Sequence, residues 1–493
     1  MNYLRSQGLR HAIWLVALLS QLWQTDHYFT YSGPDRNLQM LAAKQALLHD
    51  DWCIPLQTET GSQCEALTGW PPAFGFLIQR FYQLSGDWFL AVRWFNGLGV
   101  LLVFCLMHLL LGALRTDLHP WVYPSLFAFW GISFTPFYYT FGIEEWALAT
   151  FLLASIAGLR LWQADRWHWG WWLTLAAALA LGFSMRYAYA PLGVLLLIPL
   201  LMGRYKAPAW RLQAAWSSIG LILLALGSFV FLQPTTSGGM RWYQLLRGAD
   251  LYWTNLLHFD AFPLKAWAYF SLDSLLRKTS ISNPSLEGFA KAMMFLLSFR
   301  MISLLWRQFR HLPAQSAFRY LQTGWWSISL LTIIFLTVLS IFLPPELHDN
   351  QWYWTFVMET RYYAPLLVVI QLLGLQWVFE RSPKEGKRWL SWATKALLIL
   401  IFAYNIGHSL YRLSDERGTR WSASEQEMLA VYEEVAAIVN TDQEVWWQEG
   451  STIREQDQAN LAALAGARII PFALLGEISP SPNDKIVLLP KAP

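Results

Sequence analysis

The sequence predicts an α-helical polytopic membrane protein with about eleven transmembrane helices, ending in a small C-terminal α/β domain outside the bilayer. Three observations predict it. Of the 493 residues, 55% are hydrophobic and 14% charged, where an ordinary soluble domain carries about 25% charge. Apolar runs long enough to cross a bilayer recur along the chain as far as residue 411. The charge then divides the chain in two: residues 413–493 hold 6 Lys+Arg against 13 Asp+Glu, and residues 1–412 hold 30 against 20. No basic patch of the kind nucleic acid needs is present in the tail, so nucleic acid is not an expected partner. Composition excludes the collagen-like, disordered and disulfide-framework classes. A mean hydropathy of only +0.29 still requires substantial polar segments outside the membrane.

A span needs roughly 17 to 25 predominantly apolar residues. Eleven candidates satisfy this, near 11–28, 93–113, 120–138, 146–163, 169–185, 188–203, 214–232, 288–306, 323–343, 362–379 and 389–411. The first follows Arg5 and Arg10 as a secretory signal would, but it has no small-residue cleavage site and reads as an anchor. Lys and Arg resist translocation and gather on the cytoplasmic side. With the N-terminus inside, residues 1–11 and the turns at 114–119, 160–168, 203–212, 306–322 and 380–389 hold 15 Lys+Arg against 4 Asp+Glu, whereas the opposite turns 139–144 and 344–360 hold no Lys or Arg. This orientation predicts a multi-pass protein of the cell inner (plasma) membrane, a transmembrane domain over 1–412, outer loops at about 29–92 and 233–287, and an extracytoplasmic domain over 413–493.

Within the tail, residues 423–440 carry apolar residues at helical spacing and Glu444–Trp447 reads as a short strand. A second helix follows over Glu455–Ala467, then strands over Ile469–Leu474 and Lys485–Leu489. That order suits a compact α/β module. No internal repeat, phosphate-binding glycine loop, dinucleotide fingerprint or zinc spacing occurs. His49, His258 and His348 lie in outer segments without metal-ligand spacing. Of the three cysteines, Cys105 sits within a span, while Cys53 and Cys64 flank a ten-residue stretch of the first outer loop. A Cys53–Cys64 bridge is the expected state in an oxidising compartment, with two free thiols as the alternative.

Five ionisable residues remain near the outer face. Asp35 follows Pro34 at the start of the amphipathic stretch NLQMLAAKQALLHDDW, where Asp also makes a good helix N-cap. Glu144 and Glu145 stand together at the entry to the fourth span, a position that a helix N-terminus favours electrostatically. Arg186, in LGFSMRYAYAPLG, interrupts the apolar run between the fifth and sixth spans, and Arg361, in METRYYAPLLVV, opens the tenth. Either arginine can snorkel to the headgroups. All five fall on one side of the membrane, however, and ionisable residues at such depth are functional candidates by default. Guanidinium groups supply bidentate donors to phosphate, and carboxylates accept protons or hold metal.

The stretch GWPPAFGFLIQRFYQLSGDWFLAVRWFNGLGVLLVFCLMHLLL, residues 69–111, resembles a segment of family 39 glycosyltransferases that runs from a Pro-Pro pair through a juxtamembrane helix, a Gly and an Ala-x-Arg into the second span. These belong to the GT-C superfamily, which includes protein mannosyltransferases and lipid A aminoarabinose transferases. The order of the other pieces agrees: Asp35 after the first span, Pro71-Pro72, Arg93, an acidic residue before the fourth span, a basic residue after the fifth and a late Arg-Tyr. The resemblance implies a GT-C-like fold and inverting transfer of a sugar from a polyprenyl-phosphate donor to a glycan, lipid or protein acceptor at the outer face. It implies Asp35 as base or as ligand of a divalent metal, Mg or Mn, and Glu144 or Glu145 as the second acidic residue. Arg186, Arg361 and Tyr362 are implied as holders of the donor phosphate. Two departures are visible, because Asp35 is followed by Arg36 rather than by a second acid, and Arg186-Tyr187 stands where the family has Lys-Gly.

A lipid-linked donor presents its sugar at the bilayer surface while its chain stays in hydrocarbon, so spans would provide the lateral opening and outer loops the roof. The QWYWTF stretch, 351–356, is a candidate acceptor groove. Transport or flipping of a lipid-linked glycan is the alternative reading, since carriers also have many spans and buried charges. A non-catalytic envelope assembly protein is a third.

Overall fold

The computed structural model describes residues 2–27, 34–49, 53–58, 61–66, 73–114, 118–138, 143–185, 195–201, 206–231, 364–379, 430–438, 445–448, 462–470 and 485–486, with isolated helical positions between 296 and 324, between 392 and 410, and at 458. The described chain is mostly helical. Helix α1 is Asn2–His27, α2 Pro34–His49, α3 Ala73–Ser85, α4 Trp88–Ala113, α5 Val122–Tyr138, α6 Ile143–Gln163, α7 Trp169–Met185, α8 Pro208–Phe231 and α9 Ala364–Phe379. A short helical turn covers 195–201. Among the described residues, α4 and α6 are long and apolar enough to cross a membrane. Their 26 and 21 residues extend about 39 and 32 Å at 1.5 Å per residue, against about 30 Å of hydrocarbon.

Local chemistry explains several boundaries. Pro34 opens α2 at the first helical position, where its missing N–H costs nothing. Between α3 and α4 the sequence Ser85-Gly86-Asp87 stops one helix and starts the next. Gly86 takes a φ of 71°, open to glycine at no steric cost, and its N–H closes α3 on the Tyr82 carbonyl at 2.7 Å. Asp87 then caps α4, accepting the Leu90 N–H at 2.7 Å on its carboxylate. The first helix starts at Asn2, nine residues before the apolar run does, because residues 2–10 contain no proline to end it.

Helix α6 sits at the centre, packed against α4 on one side and α7 on the other. Its residues are buried nearly all round, which Ala147, Ala149, Ala154, Ala157 and Gly158 permit by letting neighbouring backbones approach. Helix α1 packs on α5 at a similarly close point, where a Cβ on Gly131 would stand 3.1 Å from Ala17. The polar residues of this bundle bond across helices: Ser20 and Gln24 donate to the Gly131 carbonyl at 2.6 and 2.9 Å, and the Trp130 indole donates to Gln371 of α9 at 2.8 Å. At the opposite end of α6, Trp162 packs on Tyr320 and Trp167 on Trp172 and Trp210, and Lys206 donates to the Ala164 carbonyl at 2.9 Å as a cation at a helix C-terminus should.

Gly158 is the tightest joint. The Tyr320 hydroxyl occupies the space a Cβ would need there, and it donates to the Leu196 carbonyl at 3.1 Å. Gly158→Ala is therefore expected to destabilise the bundle by about 1 to 3 kcal/mol through overpacking. Tyr320→Phe in the same chain should recover part of that loss in a thermal unfolding measurement, since it vacates the contested volume.

The first loop and the tail carry the strands. Strands β1 (Cys53–Thr58) and β2 (Gly61–Ala66) form an antiparallel hairpin with Thr58 opposite Gly61. Strands β3 (Val445–Gln448), β4 (Arg468–Ile470) and β5 (Lys485–Ile486) form a parallel sheet in the order β4-β3-β5. Residues 430–438 are helical, as are 462–465. The tail rests on the first loop: β4 touches β1, and Leu464 belongs to the same apolar cluster as α1 to α7 and α9.

Candidate active site

Glu144 and Glu145 occupy the first turn of α6 and are buried, at 0% and 6% exposure. Their turn is held by its neighbours on α4. Trp146 stacks on Phe95 at 5.0 Å between ring centroids and donates its indole N–H to the Phe95 carbonyl at 2.9 Å. The helices approach so closely because residue 99 is glycine, where a Cβ would meet Trp146 Cδ1 at 3.0 Å and Glu145 Cβ at 3.1 Å. Phe95 also receives Phe74 and Phe81 of α3 edge-on at 5.2 and 6.2 Å. Helix α3 thus props α4, and α4 fixes the carboxylate-bearing turn.

Helix α7 reaches the same level from the other side. A Cβ on Gly182 would stand 2.9 Å from Thr150 Oγ1, so the last turn of α7 lies beside the first turns of α6. Met185, the final residue of α7, is buried. Arg186 follows it in sequence and lies outside the described residues, as do Arg361 and Tyr362, which precede α9.

Asp35 is the second residue of α2, inside the helix rather than at its N-cap, and α2 packs on α3. A carboxylate in a first turn still gains from the helix dipole. Beyond its backbone, Asp35 lies outside the described residues. The hairpin register sets Cys53 opposite Ala66 and Cys64 opposite Pro55. The two cysteines are therefore diagonal positions of one hairpin face, typically about 7 to 8 Å apart, whereas bridged Cα atoms usually lie about 4.4 to 6.8 Å apart. Their side chains are likewise outside the described residues.

The structure thus packs α3, α4, α6 and the end of α7 together, with α2 on α3, and Glu144 and Glu145 lie in the first turn of α6. It also adds a residue that sequence reading passes over. Asn96 is 6% exposed, lies one turn before Gly99 on the same side of α4, and its Oδ1 finds no donor among the described residues. The signal available beforehand was a lone amide in the apolar run WFNGLGVLL. No group of three His, Cys, Asp or Glu side chains able to hold a metal converges among the described residues. Glu144 and Glu145 are oxygen donors of the type Mg or Mn accepts. Chemically, the arrangement can accept a proton or hold a cation through the acids and bind a hydroxyl or amine through Asn96. Comparison of the chain with models of known protein families, with characterised proteins and with solved structures yields no significant match.

Proposed function

We propose that this chain is an inverting membrane glycosyltransferase of GT-C type that moves a sugar from a polyprenyl-phosphate donor to an envelope glycan, lipid or protein. In this reading it has about eleven spans, a cytoplasmic N-terminus and an α/β tail on the outer face of the plasma membrane. The observation that carries it is the burial of two adjacent carboxylates, Glu144 and Glu145, in the first turn of the central helix. Ionisable residues within a membrane bundle are rare and are functional candidates by default. The family resemblance of residues 69–111 supports the choice of reaction. Large apolar side chains exposed on α1, α4, α7 and α8, among them Val16, Trp23, Leu109, Leu173 and Trp216, support a lipid-facing belt.

The chemistry requires little of the protein beyond placement and charge. Asp35 takes the proton of the acceptor hydroxyl as the new glycosidic bond forms, with Glu144 or Glu145 as the second acid. Arg186 and Arg361, with Tyr362, hold the departing polyprenyl phosphate and offset its developing charge. That phosphate needs no proton to leave, so a single base suffices. A divalent metal, if bound, would be held by Asp35 and would supply charge neutralisation.

Purified protein in lipid nanodiscs, with no gradient, should release polyprenyl phosphate from a sugar-loaded carrier when an acceptor is added. Movement of the loaded carrier across vesicles without that release would instead establish a flippase. Topology has its own check. The contact between the tail and the first loop supports their lying on one side of the membrane, and the inside bias of Lys and Arg supports that side being outer. A cysteine introduced after residue 412 should be labelled by an impermeant maleimide in intact cells. Labelling only after permeabilisation would overturn the odd span count.

A further inference from the structure

Helix α2 is enclosed rather than laid on a surface. Gln39, Met40, Leu41, Ala42 and Ala43 are all buried, and five consecutive residues at 100° each turn through more than one full revolution. No single neighbour can cover that. Helix α3 covers part of α2, and the tail reaches it through Lys44, whose Nζ donates to the carbonyls of Ala463 at 3.2 Å and Leu464 at 2.6 Å.

Those two carbonyls end the helix at 462–465, and the local geometry explains what Lys44 does there. Gly466, at a φ of 118°, reverses the chain, so that Ala467 N–H bonds the Ala462 carbonyl at 2.9 Å and Gly466 N–H bonds that of Ala463 at 3.0 Å. This glycine cap answers the carbonyls of 462 and 463 and leaves that of Leu464 open. Lys44 fills it from some 420 residues away in sequence, as a cation at the negative end of a helix. Burial pulls the Lys44 ammonium down to about 8, so it is still largely charged at neutral pH. A second contact stands beside the first. Tyr432 meets Phe89, the second residue of α4, edge-on at 4.8 Å, and burial together with the nearby Asp87 pushes its hydroxyl up to about 12.

We infer that Lys44 is a positioning residue: it pins the acidic tail onto α2 and thereby fixes the helix that carries Asp35. The two residues stand nine apart, about two and a half turns, so the tail grips α2 on the side opposite position 35. The inference rests on the proposed role of Asp35 and deepens it, because it assigns the tail a share in transfer.

The test uses the full-length protein in nanodiscs. Docking is read as bismaleimide crosslinking between Leu90→Cys and Glu433→Cys, exposed positions next to the Phe89–Tyr432 contact, identified by peptide mass spectrometry, and transfer is read as kcat and KM for the lipid donor. Lys44→Met keeps the apolar stem and removes the donor. It is expected to lower the crosslink yield about tenfold, the scale of a lost charge-assisted bond, and to lower kcat with KM for the donor unchanged. Lys44→Arg should restore both. Tyr432→Ala loosens the tail without touching α2 and should reproduce the fall in kcat, which covers the case of a poorly folded Lys44→Met. An unchanged crosslink yield in Lys44→Met would overturn the pin, and a lost crosslink with undiminished kcat would overturn its role in transfer. A protein that carries the two reporter cysteines with Lys44 intact and crosslinks but transfers no sugar would sink the functional reading, while the crosslink ratio still decides whether Lys44 is the pin.

Discussion

Asp35→Asn is expected to give a folded protein that still binds the lipid donor and transfers sugar about 100-fold more slowly, or worse. The structure sharpens why this substitution separates two roles. Asp35 is the second residue of α2, after Pro34, where a carboxylate gains about 0.3 to 1 kcal/mol from the helix dipole. Forfeiting that gain costs about 0.3 to 1 kcal/mol of stability. A 100-fold loss of rate is about 2.7 kcal/mol of transition-state stabilisation, more than the dipole can supply. An amide also cannot take a proton at neutral pH, so a base would be silenced while the helix survives. The measurement is single-turnover transfer beside thermal unfolding. Undiminished transfer would remove Asp35 from the chemistry and move the role to Glu144 and Glu145, the acids buried in the first turn of α6.

The helices were the most legible part of this molecule, because an apolar run is a local signal. The expected spans at 120–138 and 169–185 correspond to α5 and α7 to within two residues, and those at 93–113 and 146–163 are α4 and α6 entered three to five residues late. The late entries have one cause. Asp87 and Arg93 flank the first turn of α4, and Glu144–Glu145 stand in the first turn of α6, and these charges depress local hydropathy without breaking the helix. The spans expected at 288–306 and 323–343, and that at 389–411, lie largely outside the described residues. The hairpin Cys53–Ala66 was not legible. Its strands, CIPLQT and GSQCEA, do not alternate cleanly, and only Glu59 and Thr60 separate them, not the Asn-Gly or Asp-Gly pair that announces a tight turn. In the tail, β3 is shifted by one residue from the expected strand, and β4 starts at Arg468 rather than Ile469. Of the site, the paired glutamates could be found as acids next to an apolar run. The packing around them could not: Gly99 against Trp146, and elsewhere Lys44 on the tail, relate residues 47 and 420 positions apart, and no local pattern encodes them.

Arg361→Ala and Arg186→Ala are each expected to cost about 2 to 4 kcal/mol of transition-state stabilisation, or roughly 30- to 1000-fold in transfer, if they hold the leaving phosphate. The prediction turns on when the guanidinium matters. A side chain that snorkels to the headgroups contributes to insertion and stability and is indifferent to the reaction, so its loss lowers the melting temperature and leaves turnover per folded molecule intact. A side chain on the carrier phosphate has its strongest contact as the glycosidic bond breaks and charge accumulates on the departing oxygen. Its loss therefore falls on kcat more than on donor affinity. Arg→Lys separates the cases again. Lysine snorkels as well as arginine, but it offers a point charge where arginine offers a planar two-donor fork, so at a phosphate it should rescue only partly. Measured per folded protein, the expected order is wild type, then lysine, then alanine at each position. Wild-type turnover in both alanine variants would return these arginines to the headgroups and leave the donor phosphate without its proposed holders.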